Sequence, residues 1–301
     1  MRVAQYERYG PPEVITIVDA SLPEEPGPAE VQVAVQFVGI NPADSKSRRG
    51  HTPVHPIPAG IGREFSGVVR SVGSDISGLA PGDEVLGTCD GALRDVVNVS
   101  GAAVMPLPDG ITPEIGAILP VAPQTAMKAL ESQDVQPGAT VVVSAAAGGV
   151  GHILSQLLIR RGARVIGTAS PRNHGYLESL GVTPVSYGPG LVDRLREVAP
   201  EGIDHVFDQS GQEMLETALQ LGVPRSRINS VSGLAPLYDV PAVGRKGLDK
   251  TAIAELAGLI HQHELSLEVV TYPLEQVVEA FAHLENNPGR ARFAVSLTPT
   301  G

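Results

Sequence analysis

The chain of 301 residues contains a single cysteine, Cys89. One thiol excludes an internal disulfide, and it excludes the multi-cysteine zinc sites that depend on C-x-x-C spacing. No stretch reaches the run of about 18 apolar residues that a membrane-spanning helix requires, because Pro, Gly or a charge interrupts each run. The N-terminal residues also lack a basic and then apolar leader. We therefore expect a soluble, cytoplasmic protein.

Basic residues are also scarce, since 22 Lys and Arg stand against 33 Asp and Glu and give a net charge of −11. A negative surface repels phosphate backbones and anionic lipids, so we expect no nucleic-acid and no membrane partner. Glycine and proline, by contrast, are abundant at 34 and 26 residues. The chain is long enough for two domains of about 150 residues each, and its composition indicates many tight loops.

The hydrophobic pattern changes along the chain. Up to about residue 118, short β-branched runs such as Val31–Phe37 and Ser66–Val72 alternate with Pro and Gly clusters, which predicts a β-rich domain. From Thr112 a helical face runs through Ile115 to Ala126, and strands then alternate with helices, which predicts a parallel sheet. The last part returns to mixed character. We predict that residues 1–118 and 251–301 form one domain and that residues 119–250 are inserted into it.

The most informative segment is a glycine-rich turn between the strand predicted at Val141–Val143 and the helix predicted over residues 150–161. Small residues let the backbone approach a pyrophosphate, and Gly151 lets the helix pack closely on the sheet. The phosphates would lie at the N-terminal end of the helix. A plain tight loop is the alternative. We predict a dinucleotide site in which these residues contact the pyrophosphate: Ala147, Gly148, Gly149, Val150 and Gly151.

The end of the following strand bears on the choice of dinucleotide. An NAD site usually has Asp or Glu there to bind the ribose 2′-hydroxyl, whereas a 2′-phosphate needs hydroxyl or basic groups. The segment from Gly167 to Asn173 has no acidic residue. Ser170 can donate a hydrogen bond to a phosphate oxygen, and Arg172 can supply a charged donor set. We therefore predict NADPH as the cofactor.

Several segments resemble one family in their order and spacing: Asn41–Asp44, Gly82–Val85, Leu119–Ala122, Ala145–Gly151, Gly167–Ser170 and Val206–Asp208. The chain resembles the zinc-free quinone oxidoreductase (zeta-crystallin-like) branch of the medium-chain dehydrogenase/reductase superfamily over nearly its whole length. The resemblance implies an α/β fold in which a GroES-like β-rich catalytic domain carries an inserted Rossmann domain with a doubly wound parallel sheet. It also implies NADPH as the cofactor and a homodimer.

The resemblance assigns further residues to the cofactor. It implies that Asn41 and Thr125 contact the nicotinamide end and that Gly233 lies in the loop beside the nicotinamide ribose. Arg292 stands where the family usually has a Gly-Lys pair that reaches the cofactor. Two positions depart from the family. Ala145 replaces the first glycine of the turn, which we expect to be tolerated if no positive φ is needed there, and Lys46 replaces a Tyr that many relatives place near the substrate.

A metal is not expected. The resemblance implies that the catalytic Cys and the His-Glu pair of the zinc-dependent branch are replaced, the pair by Gly62-Arg63-Glu64. His261 and His263 look like a ligand pair, but on the predicted helix they are two residues apart and face different directions.

The chemistry implied is reduction of an activated double bond, in which negative charge grows on a conjugated carbonyl oxygen. Lys46 could stabilise the resulting enolate or protonate the α-carbon, or it could be a solvated loop residue. Arg63 is a second candidate, with a structural ion pair as the alternative. Asn41 completes the predicted catalytic group through the resemblance.

Three functions stay open for a small-molecule substrate. The first is an NADPH-dependent reductase of quinones or enones. The second is an enoyl reductase acting on enoyl thioesters, as in polyketide tailoring. The third is an NADPH-binding sensor or partner protein with little turnover, a possibility raised by Lys46 replacing the usual Tyr.

Overall fold

The structure is a computed structural model that describes residues 1–51, 55–244, 247–286, 289 and 291–298. The chain divides into two compact units. We call Met1–Ala122 together with Lys246–Gly301 the discontinuous unit, and Pro123–Arg245 the inserted unit. Each unit has its own sheets and its own buried core.

Within the described residues, the strands in chain order are β1 (Arg2–Tyr6), β2 (Ile15–Asp19), β3 (Glu30–Ile40), β4 (Ala59–Gly60), β5 (Glu64–Val72), β6 (Glu84–Thr88), β7 (Val96–Ser100), β8 (Val104–Pro106), β9 (Thr140–Val143), β10 (Arg164–Ala169), β11 (Thr183–Ser186), β12 (His205–Asp208), β13 (Ile228–Ser230), β14 (Val269–Pro273) and β15 (Arg292–Ser296).

The α-helices of the same described residues are α1 (Pro42–Arg48), α2 (Pro113–Gly116), α3 (Ala122–Glu131), α4 (Gly151–Arg160), α5 (His174–Ser179), α6 (Leu191–Val198), α7 (Gln212–Gln220), α8 (Lys250–His261) and α9 (Val277–Asn286). None of these helices is both long and apolar enough to cross a membrane.

The discontinuous unit is built around the long strand β3. Its β-branched residues, among them Val31, Val33 and Val38, are fully buried, because they face a core that also contains Phe65 and Phe281. The larger sheet runs β14-β15-β3-β5-β6-β8, with β7 also paired to β3, and a smaller sheet runs β2-β1-β4. Strand β15 pairs antiparallel with β3. The chain that follows the inserted unit therefore completes the sheet that the early residues begin.

The inserted unit contains a parallel sheet in the order β11-β10-β9-β12-β13. Val141, Val142 and Val143 of β9 are all 0% exposed, as expected for a central strand that is covered on both faces. Strands β9, β10 and β11 extend the sheet in one direction, and β12 and β13 extend it in the other. The carboxyl ends of β9 and β12 therefore form the switch point at which ligands bind in such folds.

The predicted α/β fold class is confirmed, while one predicted element differs. The helical face expected from Ile115 to Ala126 forms two helices, α2 and α3, with an irregular segment between them. Pro120 lies in that segment, and a proline disfavours helical geometry in the residue before it. The spacing of the apolar residues was helical, but the backbone could not continue through the proline.

Candidate active site

The glycine-rich turn joins β9 to α4, as the sequence predicts. A Cβ added to Gly151 would lie 2.9 Å from the Cα of Ala146, and one added to Gly148 would lie 3.1 Å from the carbonyl oxygen of Ala145. The turn is thus too tight for a side chain at Gly151. The His152 N–H of α4 donates to the Gly148 carbonyl at 2.9 Å, so the positive end of the helix lies directly beside this compact backbone. The segment fits a pyrophosphate, which binds where N–H groups and the positive helix end converge.

Ala145 departs from the sequence expectation. Its φ is 47°, in the left-handed region, so the position does need a positive φ, and the alanine is strained there. A hydrogen bond to the next strand, β10, partly offsets this strain: the Ala145 N–H donates to the Thr168 hydroxyl at 3.2 Å.

The end of β10 carries the groups predicted for the 2′-phosphate. Ser170 follows the strand, and its hydroxyl accepts a 3.3 Å hydrogen bond from the Asn173 side chain. Arg172 is exposed, and among the described residues it forms no ion pair or hydrogen bond. A hydroxyl and an uncommitted guanidinium at one strand end fit a phosphate dianion.

A buried carboxylate organises the switch point between β9 and β12. Asp208 is fully buried. Its Oδ1 accepts from the Ser144 hydroxyl at 3.0 Å and from the Gly211 N–H at 2.7 Å. Its Oδ2 accepts from the hydroxyls of Ser230 at 2.6 Å and Ser232 at 3.3 Å. One carboxylate thus holds together the loops that follow β9, β12 and β13.

Gly233 follows directly on this cluster. It is exposed, and a Cβ added to it would meet nothing within 4 Å. Ser232, its neighbour, also donates its N–H to the Ser230 hydroxyl at 3.0 Å. The loop that carries Gly233 is therefore anchored through Asp208. The contacts of Asp208 are those of a residue that fixes loops.

The discontinuous unit contains a second buried polar cluster. Asn41, between β3 and α1, donates through Nδ2 to Glu64 Oε1 at 2.7 Å and accepts at Oδ1 from Arg292. Arg292 Nη2 also lies 3.7 Å from Glu64 Oε1. The other carboxylate oxygen of Glu64 accepts from the Val121 N–H at 2.7 Å. The predicted site residues Asn41 and Arg292 are thus in contact, and both are buried.

An ion pair lies next to this cluster. Arg63 Nε lies 3.2 Å from Asp44 Oδ1, and Arg63 Nη2 donates to the Ser47 hydroxyl at 2.7 Å. The second oxygen of Asp44 accepts from the Asn41 N–H at 2.8 Å, which caps helix α1. Asp44 is therefore the link between Asn41 and Arg63, two residues predicted to act in catalysis.

Burial dominates the electrostatics of the two carboxyl groups. It raises the pKa of Asp44 to about 6, against the opposing effect of the Arg63 charge. It raises the pKa of Glu64 to about 7, against the opposing effect of Arg292. Burial likewise lowers the pKa of the Arg292 guanidinium. Burying the charged forms of these groups therefore costs free energy. A buried cluster of groups with shifted pKa values marks a candidate functional site.

Arg63 lines a pocket of about 330 Å³ within the discontinuous unit, together with Asp44 and Ser47. Its side chain is 17% exposed. Lys46 is on the same helix as Asp44 and Ser47 but is exposed and does not line this pocket. Of the two predicted catalytic cations, the structure thus brings only Arg63 to the pocket.

Two family models match the chain: the alcohol dehydrogenase GroES-like domain over residues 27–109 and the zinc-binding dehydrogenase over residues 149–254. The quinone oxidoreductase of Pseudomonas aeruginosa is 31% identical over 237 residues, which cover 75% of this chain and 71% of that protein. The chain belongs to the quinone oxidoreductase branch of the medium-chain dehydrogenase/reductase superfamily. The predicted family is thereby confirmed.

Two further proteins are similar to this chain in fold or in sequence. The structure of Escherichia coli quinone oxidoreductase complexed with NADPH has a TM-score of 0.87 and 26% identity, and the match covers 98% of this chain and 100% of that chain. A polyketide synthase component of Streptomyces venezuelae is 31% identical over 93% of this chain. The chain spans only 8% of the length of that synthase.

One of the two matching family models is described as a zinc-binding dehydrogenase. Among the described residues, no three His, Cys, Asp or Glu side chains cluster as a metal site requires. Arg63 stands at the position where the resemblance implies a histidine in the zinc-dependent branch. An arginine is permanently charged and does not bind a metal ion. His261 and His263 are both exposed.

The predicted cofactor residues of the inserted unit fall into separate groups. Residues 147–150 lie in the turn and Gly151 begins α4. Ser170 and Arg172 lie at the end of the next strand, and Gly233 follows the Asp208 cluster. Thr125 is buried in α3. The sequence did not predict that Glu64 bonds to Asn41 or that Ser144 bonds to Asp208. For Glu64 the available signal was its position next to Arg63, and for Ser144 it was its position at the end of a predicted strand.

Proposed function

We propose that the protein is an NADPH-dependent oxidoreductase that reduces quinones or α,β-unsaturated carbonyl compounds without a metal. The E. coli quinone oxidoreductase of the same fold is described in complex with NADPH, which supports the choice of cofactor. The observation that carries the proposal is the position of Arg63 at a pocket of the discontinuous unit.

The inserted unit supplies the groups that would hold the cofactor. The turn at residues 147–151 and the start of α4 would bind the pyrophosphate, and Ser170 and Arg172 would bind the 2′-phosphate. The loop at Gly233, fixed by Asp208, would support the nicotinamide ribose, and Asn41 and Thr125 stay predictions for the nicotinamide end. When bound, NADPH supplies a hydride to the β-carbon of the substrate.

Arg63 would stabilise the product of that transfer. Hydride addition opens the carbon–carbon double bond and leaves negative charge on the carbonyl oxygen, which becomes an enolate until the α-carbon is protonated. A fixed cation at that oxygen lowers the barrier, because its donors need not reorganise during the reaction. Asp44 and Ser47 fix Arg63 through Nε and Nη2, and Nη1 is left to donate to the oxygen.

The test measures NADPH oxidation with a panel of quinones and free enones. We expect turnover, and we expect Arg63→Met to lower kcat at least tenfold, about 1.4 kcal/mol, while Lys46→Met keeps kcat within a few-fold of the wild type. Arg70→Met is the matched control, because Arg70 is exposed on β5. NADPH binding without turnover of any panel member would contradict the proposal.

Arg63→Met leaves Asp44 buried without its cation, and the variant could fail to fold for that reason alone. The double variant Arg63→Met/Asp44→Asn removes both charges and separates folding from catalysis. Thermal unfolding of each variant is measured alongside kcat. Treatment with a strong chelator is expected to leave kcat unchanged.

A second candidate function is reduction of enoyl thioesters. It is favoured by the similarity to the Streptomyces polyketide synthase component over 93% of this chain. Acyl thioesters of the same carbon skeletons as the enones therefore belong in the panel. A kcat/KM at least tenfold higher for the thioesters would favour this second function.

A further inference from the structure

The pocket beside Arg63 contains a second arginine, Arg94. Its backbone is tied to β1, because residue 94 forms a bridge with Val3. Its side chain is half-buried, and its Nε donates to the Gly91 carbonyl at 2.6 Å. The guanidinium is thereby held at the wall of the pocket, and the backbone of Arg94 lies next to β1, the strand that carries Tyr6.

Two glycines leave the space in which the Arg94 guanidinium lies. A Cβ added to Gly91 would lie 2.5 Å from Arg94 Nη2, and one added to Gly60 would lie 2.8 Å from the same atom. Both glycines also line the pocket. The guanidinium therefore fits between two glycines that have no side chains, and its position is constrained by their backbone.

Neither terminal nitrogen of Arg94 has an acceptor among the described residues, and no described carboxylate forms an ion pair with it. Tyr6, which lines the same pocket, is 1% exposed, and its hydroxyl is likewise without a hydrogen-bond partner. Buried polar groups are nearly always bonded. The Arg94 guanidinium and the Tyr6 hydroxyl are thus two donors at one pocket for which the described residues provide no acceptor.

The other charges at the pocket do not supply that acceptor. Asp44 is bonded to Arg63 and to the Asn41 N–H. Asp90 is exposed and forms no ion pair among the described residues, so water screens its charge. Arg94 is therefore a half-buried cation that has no counter-ion among the described residues. Burial raises the pKa of Tyr6, so its hydroxyl keeps its proton and can donate.

We propose that Arg94 and Tyr6 bind a carboxylate of the substrate, so that the preferred substrates are unsaturated carbonyl compounds that carry a carboxylate group. The inference rests on the proposed function and names the substrate class for its pocket. The arginine fork matches the two oxygens of a carboxylate, and the tyrosine adds a third donor.

The first experiment compares two enones that differ in one group, 4-carboxybenzalacetone and its carboxamide. We expect Arg94→Met to lower kcat/KM for the carboxylate at least tenfold and to change kcat/KM for the carboxamide by less than threefold. Arg94→Lys keeps the charge but not the two-pronged guanidinium, so we expect an intermediate loss of kcat/KM for the carboxylate. Tyr6→Phe should lower kcat/KM for the carboxylate a few-fold. Arg70→Met is again the matched control, and unaltered thermal unfolding shows that each variant is folded.

The second experiment needs no turnover. The saturated analogue, 4-(3-oxobutyl)benzoate, has no double bond to reduce, and its binding is measured by calorimetry against wild type and Arg94→Lys. Binding that weakens at least fivefold in the variant supports the carboxylate site, even if no enone is reduced and the proposed function fails. Reduction of enones with equal kcat/KM for carboxylate and carboxamide would overturn the inference and leave the proposed function standing.

Discussion

Arg292 donates a hydrogen bond to the side chain of Asn41, a residue 251 positions earlier in the chain. Both residues were predicted to contact the cofactor. Asn41 also donates to Glu64, and Arg292 Nη2 lies 3.7 Å from the same Glu64 oxygen, so both side chains already have partners within the discontinuous unit. Their contact with the cofactor stays a prediction. What the structure shows is that the two side chains join the last strand of the discontinuous unit, β15, to the end of β3.

The buried Glu64 makes stability depend on pH. Its pKa is raised from 4.5 to about 7, so the folded protein retains a proton that the unfolded chain loses between these values. The free energy of unfolding should therefore fall by up to about 3 kcal/mol as the pH rises from 4.5 to above 7. Glu64→Gln should remove most of this slope, as urea unfolding at pH 5 and pH 8 would show.

Glu279→Gln is the control for that comparison, because Glu279 is exposed on α9. It should leave the pH dependence as in the wild type. Equal slopes in Glu64→Gln and the wild type would show that Glu64 is not the group that titrates.

Asp208→Asn tests the cluster at the switch point. The amide has the same shape as the carboxylate, but one acceptor oxygen becomes an NH2 donor. The hydroxyls and N–H groups around that atom are themselves donors, so donor then faces donor. We expect a loss of about 2–4 kcal/mol in the free energy of unfolding and weaker NADPH binding through the loop at Gly233. Asp193→Asn, at a side chain that is 86% exposed, should change the free energy of unfolding by less than about 0.5 kcal/mol.

Ala145→Gly should stabilise the protein. Glycine adopts the left-handed backbone without a Cβ penalty, so the free energy of unfolding should rise by about 1 kcal/mol. Ala147→Gly is the matched control in the same turn, because Ala147 has no positive φ, and glycine there should destabilise by roughly 0.5–1 kcal/mol. The opposite order of the two variants in urea unfolding would refute the strain at Ala145.

Arg172→Gln tests the choice of nicotinamide cofactor. Loss of a charge-assisted hydrogen bond should lower kcat/KM for NADPH about tenfold or more, while kcat/KM for NADH stays within a few-fold. Arg161→Gln is the control, since Arg161 is exposed at the other end of α4. Comparable kcat/KM for NADH and NADPH in the wild type would contradict the assignment of Ser170 and Arg172 to a 2′-phosphate.

The fold was predictable from the sequence because it follows from local patterns. The buried run at Val141–Val143, the turn after it and the amphipathic helix lie within about 20 residues of one another, and the observed α4 differs from the prediction by one residue at each end. The break between α2 and α3 was missed, because residue spacing reports which faces are apolar and not whether the backbone can continue past Pro120.

The polar clusters could be predicted only in part, because they join residues far apart in the chain. The family resemblance points to Asn41, and the Gly62-Arg63-Glu64 segment points to Arg63. Nothing in the local sequence indicates that Glu64 bonds to Asn41 or that Ser144 bonds to Asp208. Such contacts depend on sheet register between distant strands. The homodimer and the cytoplasmic location likewise stay predictions.

The pairing of β15 with β3 sets the order in which the two units can fold during synthesis. The parallel sheet needs only residues 140–230, so it can form while the ribosome is still adding the rest of the chain. Strand β3 is made much earlier, yet the edge at Phe37–Ile40 stays open until residues 293–296 emerge. A nascent chain therefore carries this unpaired strand edge while residues 41–292 are being added, and an unpaired edge is a site at which chaperone binding or aggregation can begin.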